Sequence, residues 1–144
     1  MPEWPPGRCS ARGHLDVVRE LLGTDGIQAN QAKTTDGATP LFMACQEGHL
    51  DVVRALLGAD GIQANQAMTD NGCTPLIIAA YIGHSDVVSL LLGADALDTS
   101  CTCAEKTALE WAHADARNGA WAFLDGGIKK EGRARVRSLL QQSP

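Results

Sequence analysis

The chain of 144 residues is long enough for one ordinary domain with a buried core. Hydrophobic residues make up 44% of it and aromatic residues only 4%, so the core must be mainly aliphatic, which favours closely packed helices over a sheet sandwich. A net charge of −5 excludes a molecule that binds polyanions over its whole surface, and no apolar run approaches the roughly 20 residues of a membrane helix.

The first residues, MPEWPPGR, lack the apolar core and the cleavage site of a signal peptide. We therefore expect an intracellular protein, cytoplasmic or nuclear. In such a protein the cysteines are predicted to be reduced thiols that fill small core and surface positions. The cysteines are Cys9, Cys45, Cys73, Cys101 and Cys103.

Several motifs recur along the chain, each at an interval of 35 residues. They are GHLDVVR at 13–19 and 48–54, its variant GHSDVVS at 83–89, GIQANQA at 26–32 and 61–67, and TPL at 39–41 and 74–76. A fixed interval indicates one repeated structural unit, so GIQANQA is part of that unit and not a stray linker.

Each unit predicts two short helices and a turn-rich connection. Thr39 followed by Pro40 is a helix start, and Gly48 is a helix stop. A second helix then carries an apolar stripe of Leu50, Val53, Leu56 and Leu57, and Gly58 ends it. In the connection, we expect Ile27 and Ile62 to pack inward between units, with the Gln side chains in water.

The runs DGATPLFMACQEGHLDVVRALLGAD (36–60) and NGCTPLIIAAYIGHSDVVSLLLGAD (71–95) resemble the ankyrin repeat. The family pattern is a Gly-x-Thr-Pro-Leu opening, small Ala residues, Gly-His, a Val-Val helix and Gly-Ala-Asp. The resemblance implies an all-α solenoid of stacked antiparallel helix pairs joined by β-turn or hairpin-like loops. It also implies a non-catalytic module that binds a partner protein in the concave groove.

We expect one ankyrin repeat domain over residues 1–144. Its parts are an incomplete N-terminal repeat (1–35), two repeats (36–70 and 71–103), and an atypical C-terminal capping repeat (104–144) with an insertion at about 117–132. The first helix of the N-terminal repeat is in doubt because Trp-Pro-Pro-Gly occupies 4–7. In the capping repeat, KTALEWAHA (106–114) predicts the first helix and VRSLL (136–140) the second, and Arg133, Arg135 and Arg137 suit a solvated cap.

The resemblance places the partner-binding positions on the hairpin tips and on the exposed side of each first helix. Tyr81 and Ile82 are expected to form an exposed apolar spot, since the preceding unit has Gln46 and Glu47 there. The surrounding acidic residues predict a partner segment with Lys or Arg around an apolar residue. The full set is Thr35, Asp36, Ala38, Gln46, Glu47, Asp70, Asn71, Cys73, Tyr81, Ile82 and Lys106.

Nothing in the sequence indicates an enzyme or a cofactor, because the common nucleotide-binding, hydrolase and metalloprotease motifs do not occur. His14, His49 and His84 share the Gly-His position, so each is expected to hydrogen-bond near a loop backbone. Cys101-Thr-Cys103 invites a zinc interpretation, but only His113 lies nearby, and a zinc site needs four ligands. Two cysteines near a turn tip are the favoured alternative, and no metal site is predicted.

Two further functions remain open at this point. The chain could be an accessory targeting or regulatory domain of a larger enzyme or complex. Residues 129–144 carry a net charge of +4 against −9 for residues 1–128, so the C-terminus could bind an acidic surface or a nucleic acid. A solvated capping helix explains this charge more simply. We therefore expect a monomer with an unknown protein partner and without nucleic-acid or membrane binding.

Overall fold

The computed structural model describes residues 15–94, 97–103, 106–113 and 130–142. The predicted insertion at 117–132 falls outside these ranges except for its last residues, 130–132, which belong to a helix. Residues 4–7, where the first helix of the N-terminal repeat was in doubt, also lie outside them. The described elements, in chain order, are α1 (Leu15–Leu22), α2 (Pro40–Glu47), α3 (Leu50–Leu57), α4 (Pro75–Ile82), α5 (Ser85–Leu92), β1 (Thr102–Cys103), β2 (Lys106–Thr107), α6 (Ala108–His113) and α7 (Lys130–Gln142).

The first helix of each central unit begins and ends as the sequence predicts. The hydroxyl of Thr39 accepts the N–H of Phe42 at 3.1 Å, and that of Thr74 accepts the N–H of Ile77 at 3.4 Å. Each threonine is followed by a proline, whose missing N–H costs nothing in the first turn. Gly48 ends α2 in the left-handed conformation (φ 75°), which glycine adopts without a steric penalty.

The second helices carry the inward apolar stripe that the repeat predicts. Val53 of α3, Val88 of α5 and Val136 of α7 occupy equivalent positions, and all three are fully buried. Because VRSLL lies within α7, the prediction of a second helix there is confirmed. The longer α7 is thus the partner of α6, despite the chain between them.

The helices stack into one continuous core. α2 packs against α3 and α4, and α4 packs in turn against α5, α6 and α7. β1 and β2 form a short antiparallel hairpin in which Thr102 pairs with Thr107 and Cys103 with Lys106. The fold is therefore the predicted helix-pair solenoid with hairpin-like connections. No helix in the described part of the chain has the length and apolar character needed to cross a membrane.

The two GIQANQA copies are connections between units, and the asparagine of each copy forms hydrogen bonds to the next connection. The side chain of Asn30 donates to the Gly61 carbonyl at 2.8 Å and accepts the N–H of Gln63 at 2.9 Å. Asn65 likewise accepts the N–H of Asp98 at 2.8 Å. Each asparagine thus bonds the connection of the next unit, which fixes the spacing between units.

The prediction that the isoleucines of the connections pack inward and the glutamines lie in water is confirmed for some of these residues and wrong for others. Ile62 packs against the core, but Ile27 is 45% exposed, so its inward packing was predicted wrongly. Ile62 lies beside the preceding connection, whereas no described connection precedes Ile27. Gln28, Gln31 and Gln63 are exposed as expected. Gln66 is half-buried instead, and its side-chain oxygen has no hydrogen-bond partner in the described structure.

Two arginines of α7 form hydrogen bonds to the end of α6. Arg133 donates to the Trp111 carbonyl at 2.7 Å, and Arg137 donates to the Ala112 carbonyl at 3.2 Å. These carbonyls lie in the last turn of α6, where a helix lacks internal donors and favours a cation. Arg133 is only 7% exposed, so the prediction of a solvated arginine face is wrong for it and holds for Arg135.

Candidate partner-binding surface

The hairpin tips of the second and third units share one geometry. A carboxylate oxygen of Asp36 accepts the N–H of Ala38 at 3.0 Å, and the amide oxygen of Asn71 accepts the N–H of Cys73 at 2.9 Å. The following glycines have positive φ, as the turn requires. The two tips are joined by the N–H of Thr69, which donates to the carbonyl of Asp36 at 3.0 Å. Consecutive tips therefore form one continuous edge.

The eleven positions predicted for partner binding differ in exposure. Thr35, Glu47 and Asp70 are exposed, and Asp36, Gln46 and Asn71 are half-buried. Ala38, Cys73, Tyr81 and Ile82 are buried. The side chain of Lys106 is outside the described residues, although its backbone lies in β2. The six accessible residues lie on two neighbouring tips and on the end of α2.

Tyr81 and Ile82 do not form the exposed apolar spot that the sequence suggested. Tyr81 is 0% exposed and Ile82 is 3% exposed. The ring of Tyr81 packs edge-on against Trp111 with 5.4 Å between ring centroids, and the guanidinium of Arg133 lies 5.4 Å from its centroid. The fourth unit therefore covers this part of α4, and a partner cannot reach it without opening the core.

The prediction of partner binding is also wrong for Ala38 and Cys73, because both are buried on the inner side of their hairpins. Cys73 is disulfide-bonded to Cys103, so the expectation of reduced thiols is wrong for these two cysteines. Cys45 is a buried free thiol and Cys101 a half-buried one, while Cys9 is outside the described residues. Burial raises the pKa of Cys45 far above its usual range, which makes it an inert core residue.

The accessible surface is acidic. Asp36 forms an ion pair with Lys33 at 3.4 Å; the N–H of Ala38 and then Lys33 lower the pKa of that carboxyl. Glu47 and Asp70 are exposed, and neither has an ion-pair partner in the described structure. The net field at this edge is therefore negative, with two carboxylates open to a cationic partner.

The hydrogen bond to a loop backbone that was predicted for the repeated histidines is confirmed for His84 and, among the described residues, is not found for the side chain of His49. His84 Nε2 lies 3.0 Å from the Gln46 carbonyl, so it bridges one unit to the next. Gly48 provides the space for this ring, because a Cβ there would stand 2.6 Å from it. His49 is half-buried, and its Nε2 has no hydrogen-bond partner in the described structure. His14 is outside the described residues.

Sequence reasoning missed two surface cavities. One of about 770 Å³ is lined by Ile62, Gln63 and Asn65, together with the ends of α3 and α5. Another of about 560 Å³ is lined by the first GIQANQA copy and by Asp60. Both lie between the connections, not at the hairpin tips. The exact repetition of GIQANQA was the available signal, since identical segments stacked by their asparagines leave similar spaces between them.

Metal binding has no support in the described ranges, where no three His, Cys, Asp or Glu side chains are grouped to hold an ion. The disulfide removes Cys103 from the thiols that a zinc site at Cys101-Thr-Cys103 would need.

Comparison with models of protein families finds a match over more than half of the chain. The family model described as "Ankyrin repeats (many copies)" matches residues 8–57 and again residues 41–92. No curated protein matches the chain in sequence.

Proposed function

We propose that this chain, which belongs to the ankyrin repeat family, is a non-catalytic module that binds a partner protein along the edge formed by α2 and the hairpin tips. Ankyrin repeats generally mediate protein–protein interactions. The finer claim is the location and the charge of the surface. Its support is the pair of exposed carboxylates, Glu47 and Asp70, that have no ion-pair partner in the described structure.

The face of α2 that carries Glu47 is mostly accessible, although Met43 on it packs partly against the core. Pro40, Met43 and Glu47 follow one another at helical spacing, so they share one face. Pro40 and Glu47 are exposed and Met43 is half-buried. This face offers a modest apolar strip beside a negative charge, which suits a partner segment with Lys or Arg next to an apolar side chain.

The third unit contributes its tip but not its helix. Asp70 is exposed, whereas every residue of α4 is buried. The surface therefore runs along the tips from Thr35 to Asp70 and widens only at α2. A partner is expected to make its larger contact on the second unit.

The test reverses the charge at both open carboxylates. The Glu47→Lys, Asp70→Lys double variant should lose most capture of basic partner proteins from lysate, measured by pull-down and mass spectrometry. Wild-type capture should weaken as salt rises, because exposed charges are screened. The matched control is Asp25→Lys with Asp60→Lys, since both residues are exposed in the connections.

The control should keep the wild-type set of captured proteins. If the two double variants capture the same proteins to the same extent, the tips and α2 are not the binding surface. Circular dichroism on all three proteins shows whether a lost interaction reflects the surface and not the fold.

A further inference from the structure

A disulfide joins the hairpin of the third unit to the hairpin of the fourth unit. Cys73 lies just after the tip of one hairpin and Cys103 lies in β1 of the next, and their sulfurs form a disulfide. The exposed fractions of the two residues are 0% and 2%. The bond closes a segment with a sequence separation of 30, which contains α4 and α5.

The preceding junction shows that this fold does not need a covalent bond here. Ala38 and Met68 stand one repeat before Cys73 and Cys103, with the same separation in sequence. They are buried, at 2% and 7% exposure, and belong to the same apolar core. Apolar packing is therefore sufficient at this register, and the thiol pair adds a bond that can form or break within the same architecture.

The disulfide connects the proposed binding edge to the cap of the solenoid. On one side, the N–H of Cys73 bonds the side chain of Asn71, next to the exposed Asp70. On the other side, the carbonyl of Cys103 accepts the indole N–H of Trp111 at 2.9 Å. Trp111 packs on Tyr81, so the bond ties the tip to the cluster that covers α4.

We propose that Cys73 and Cys103 form a reversible thiol–disulfide switch that sets the order of the Asp70–Asn71 tip and so controls partner binding. The binding part of this proposal rests on the proposed function. The oxidant is a low-molecular-weight disulfide of the glutathione class. The thiols of Cys73 and Cys103 transfer two protons and two electrons to this oxidant and form one S–S bond between them. The S–S bond of the oxidant breaks and gives two free low-molecular-weight thiols.

The burial of both sulfurs sets how the switch works. A buried sulfur cannot be attacked until the hairpin opens, and each strand of the β1–β2 hairpin is only two residues long. Cys101 is the more accessible thiol, and burial and then Asp98 raise its pKa, which lowers its fraction of reactive thiolate. Exchange at Cys73 and Cys103 therefore requires that the hairpin opens first.

The key variant copies the preceding junction. Cys73→Ala with Cys103→Met reproduces the Ala38 and Met68 pair, so it should fold without the bond. Cys101→Ser is the matched control, because it removes a neighbouring thiol and leaves the pair intact. Full-length proteins are equilibrated in glutathione buffers of graded ratio, and differential alkylation with mass spectrometry reports each cysteine.

In the wild type and in Cys101→Ser, Cys73 and Cys103 should become reduced together. Reduction should lower Tm by about 10 °C, because a closed loop of this size is released. Hydrogen exchange at the amides of residues 69–73 should accelerate by about tenfold or more. Capture of partner proteins should fall in parallel. The Cys73→Ala, Cys103→Met variant should show none of these responses to the reductant.

Three results would overturn the switch. The first is alkylation of both cysteines in the most oxidising buffer. The second is an equal response to reductant in the Ala/Met variant. The third is a fall in Tm without any change in hydrogen exchange at residues 69–73 or in capture, which would leave a purely structural cross-link. If exchange responds while Glu47→Lys with Asp70→Lys leaves capture unchanged, the binding surface is wrong and the switch of the tip stands.

Discussion

α2 and α4 are first helices of consecutive units, and they differ in how much of their surface is covered. Each has eight residues, a threonine cap, a proline in the first turn and a left-handed glycine at the end. In α4 all eight residues are buried, whereas α2 buries Leu41, Phe42, Ala44 and Cys45. The signals that begin and end the two helices are the same, so they do not explain the difference in burial.

The unit that follows each helix determines how much of its surface is covered. α2 is followed by a regular unit, which leaves Gln46 half-buried and Glu47 exposed. α4 is followed by the irregular fourth unit, whose Trp111 and Arg133 close over Tyr81. An apolar residue at a groove position is thus a binding anchor only where the following unit leaves it uncovered.

Substitution at the equivalent positions Tyr81 and Gln46 tests this comparison most strongly. Tyr81→Ala should cost about 3–5 kcal/mol of unfolding free energy, since it empties a fully buried aromatic site. Gln46→Ala should cost less than about 1 kcal/mol, because that side chain is only half-buried and is not part of the apolar core. Urea denaturation of both variants measures the difference. Similar costs at the two positions would contradict the unequal covering of α2 and α4.

The close approach of α7 to the end of α4 can be tested with a single methyl group. A Cβ on Gly132 would overlap the backbone carbonyl of Gly83, which cannot move aside as a side chain could. Gly132→Ala should therefore destabilise the protein by about 1–3 kcal/mol. Gly58→Ala is the matched control, because its added Cβ would meet only carbonyl oxygens at 3.6 Å and its φ is −82°. Thermal unfolding that shifts equally in both variants would show that α7 is not seated on Gly83.

The smallest expected effect concerns the tips that precede the two helices. Asp36→Asn gives the first tip the residue type of Asn71, so the bond to the Ala38 N–H should remain while the ion pair with Lys33 is lost. The cost at pH 7 should be below about 1 kcal/mol.

Its pH dependence follows from the lowered pKa of Asp36, which is caused first by the Ala38 N–H and then by Lys33. A carboxyl with a lowered pKa in the folded state stabilises the protein above its unfolded pKa, and this contribution is lost as pH falls through the folded pKa. The stability gap between wild type and Asp36→Asn, measured by urea denaturation, should therefore shrink towards pH 3. Asp70→Asn is the charge-matched control. A stability gap that is independent of pH would show that the ion pair of Asp36 with Lys33 contributes nothing to the free energy of unfolding.

The candidate surface was only partly predictable. Thr35, Glu47 and Asp70 could be placed because their exposure follows from the repeat itself. Tyr81 could not, because its partner Trp111 lies in the unit that departs from the pattern, and Arg133 follows a long stretch without repeat signals. The role of Arg133 could not be predicted for the same reason, because it depends on the Trp111 carbonyl 22 residues earlier.

The sequence by itself determined the unit, its period, the helix starts at Thr39 and Thr74, the stop at Gly48 and the inward stripe of the second helices. These features depend on contacts a few residues apart or on exact repetition, so they can be read locally. Only the tertiary structure decided that Cys73 bonds Cys103, that Ile27 is exposed while Ile62 is not, and that α4 is closed over. Those outcomes depend on which unit lies beside each residue, and the unit that follows α4 is no longer a copy of the repeat.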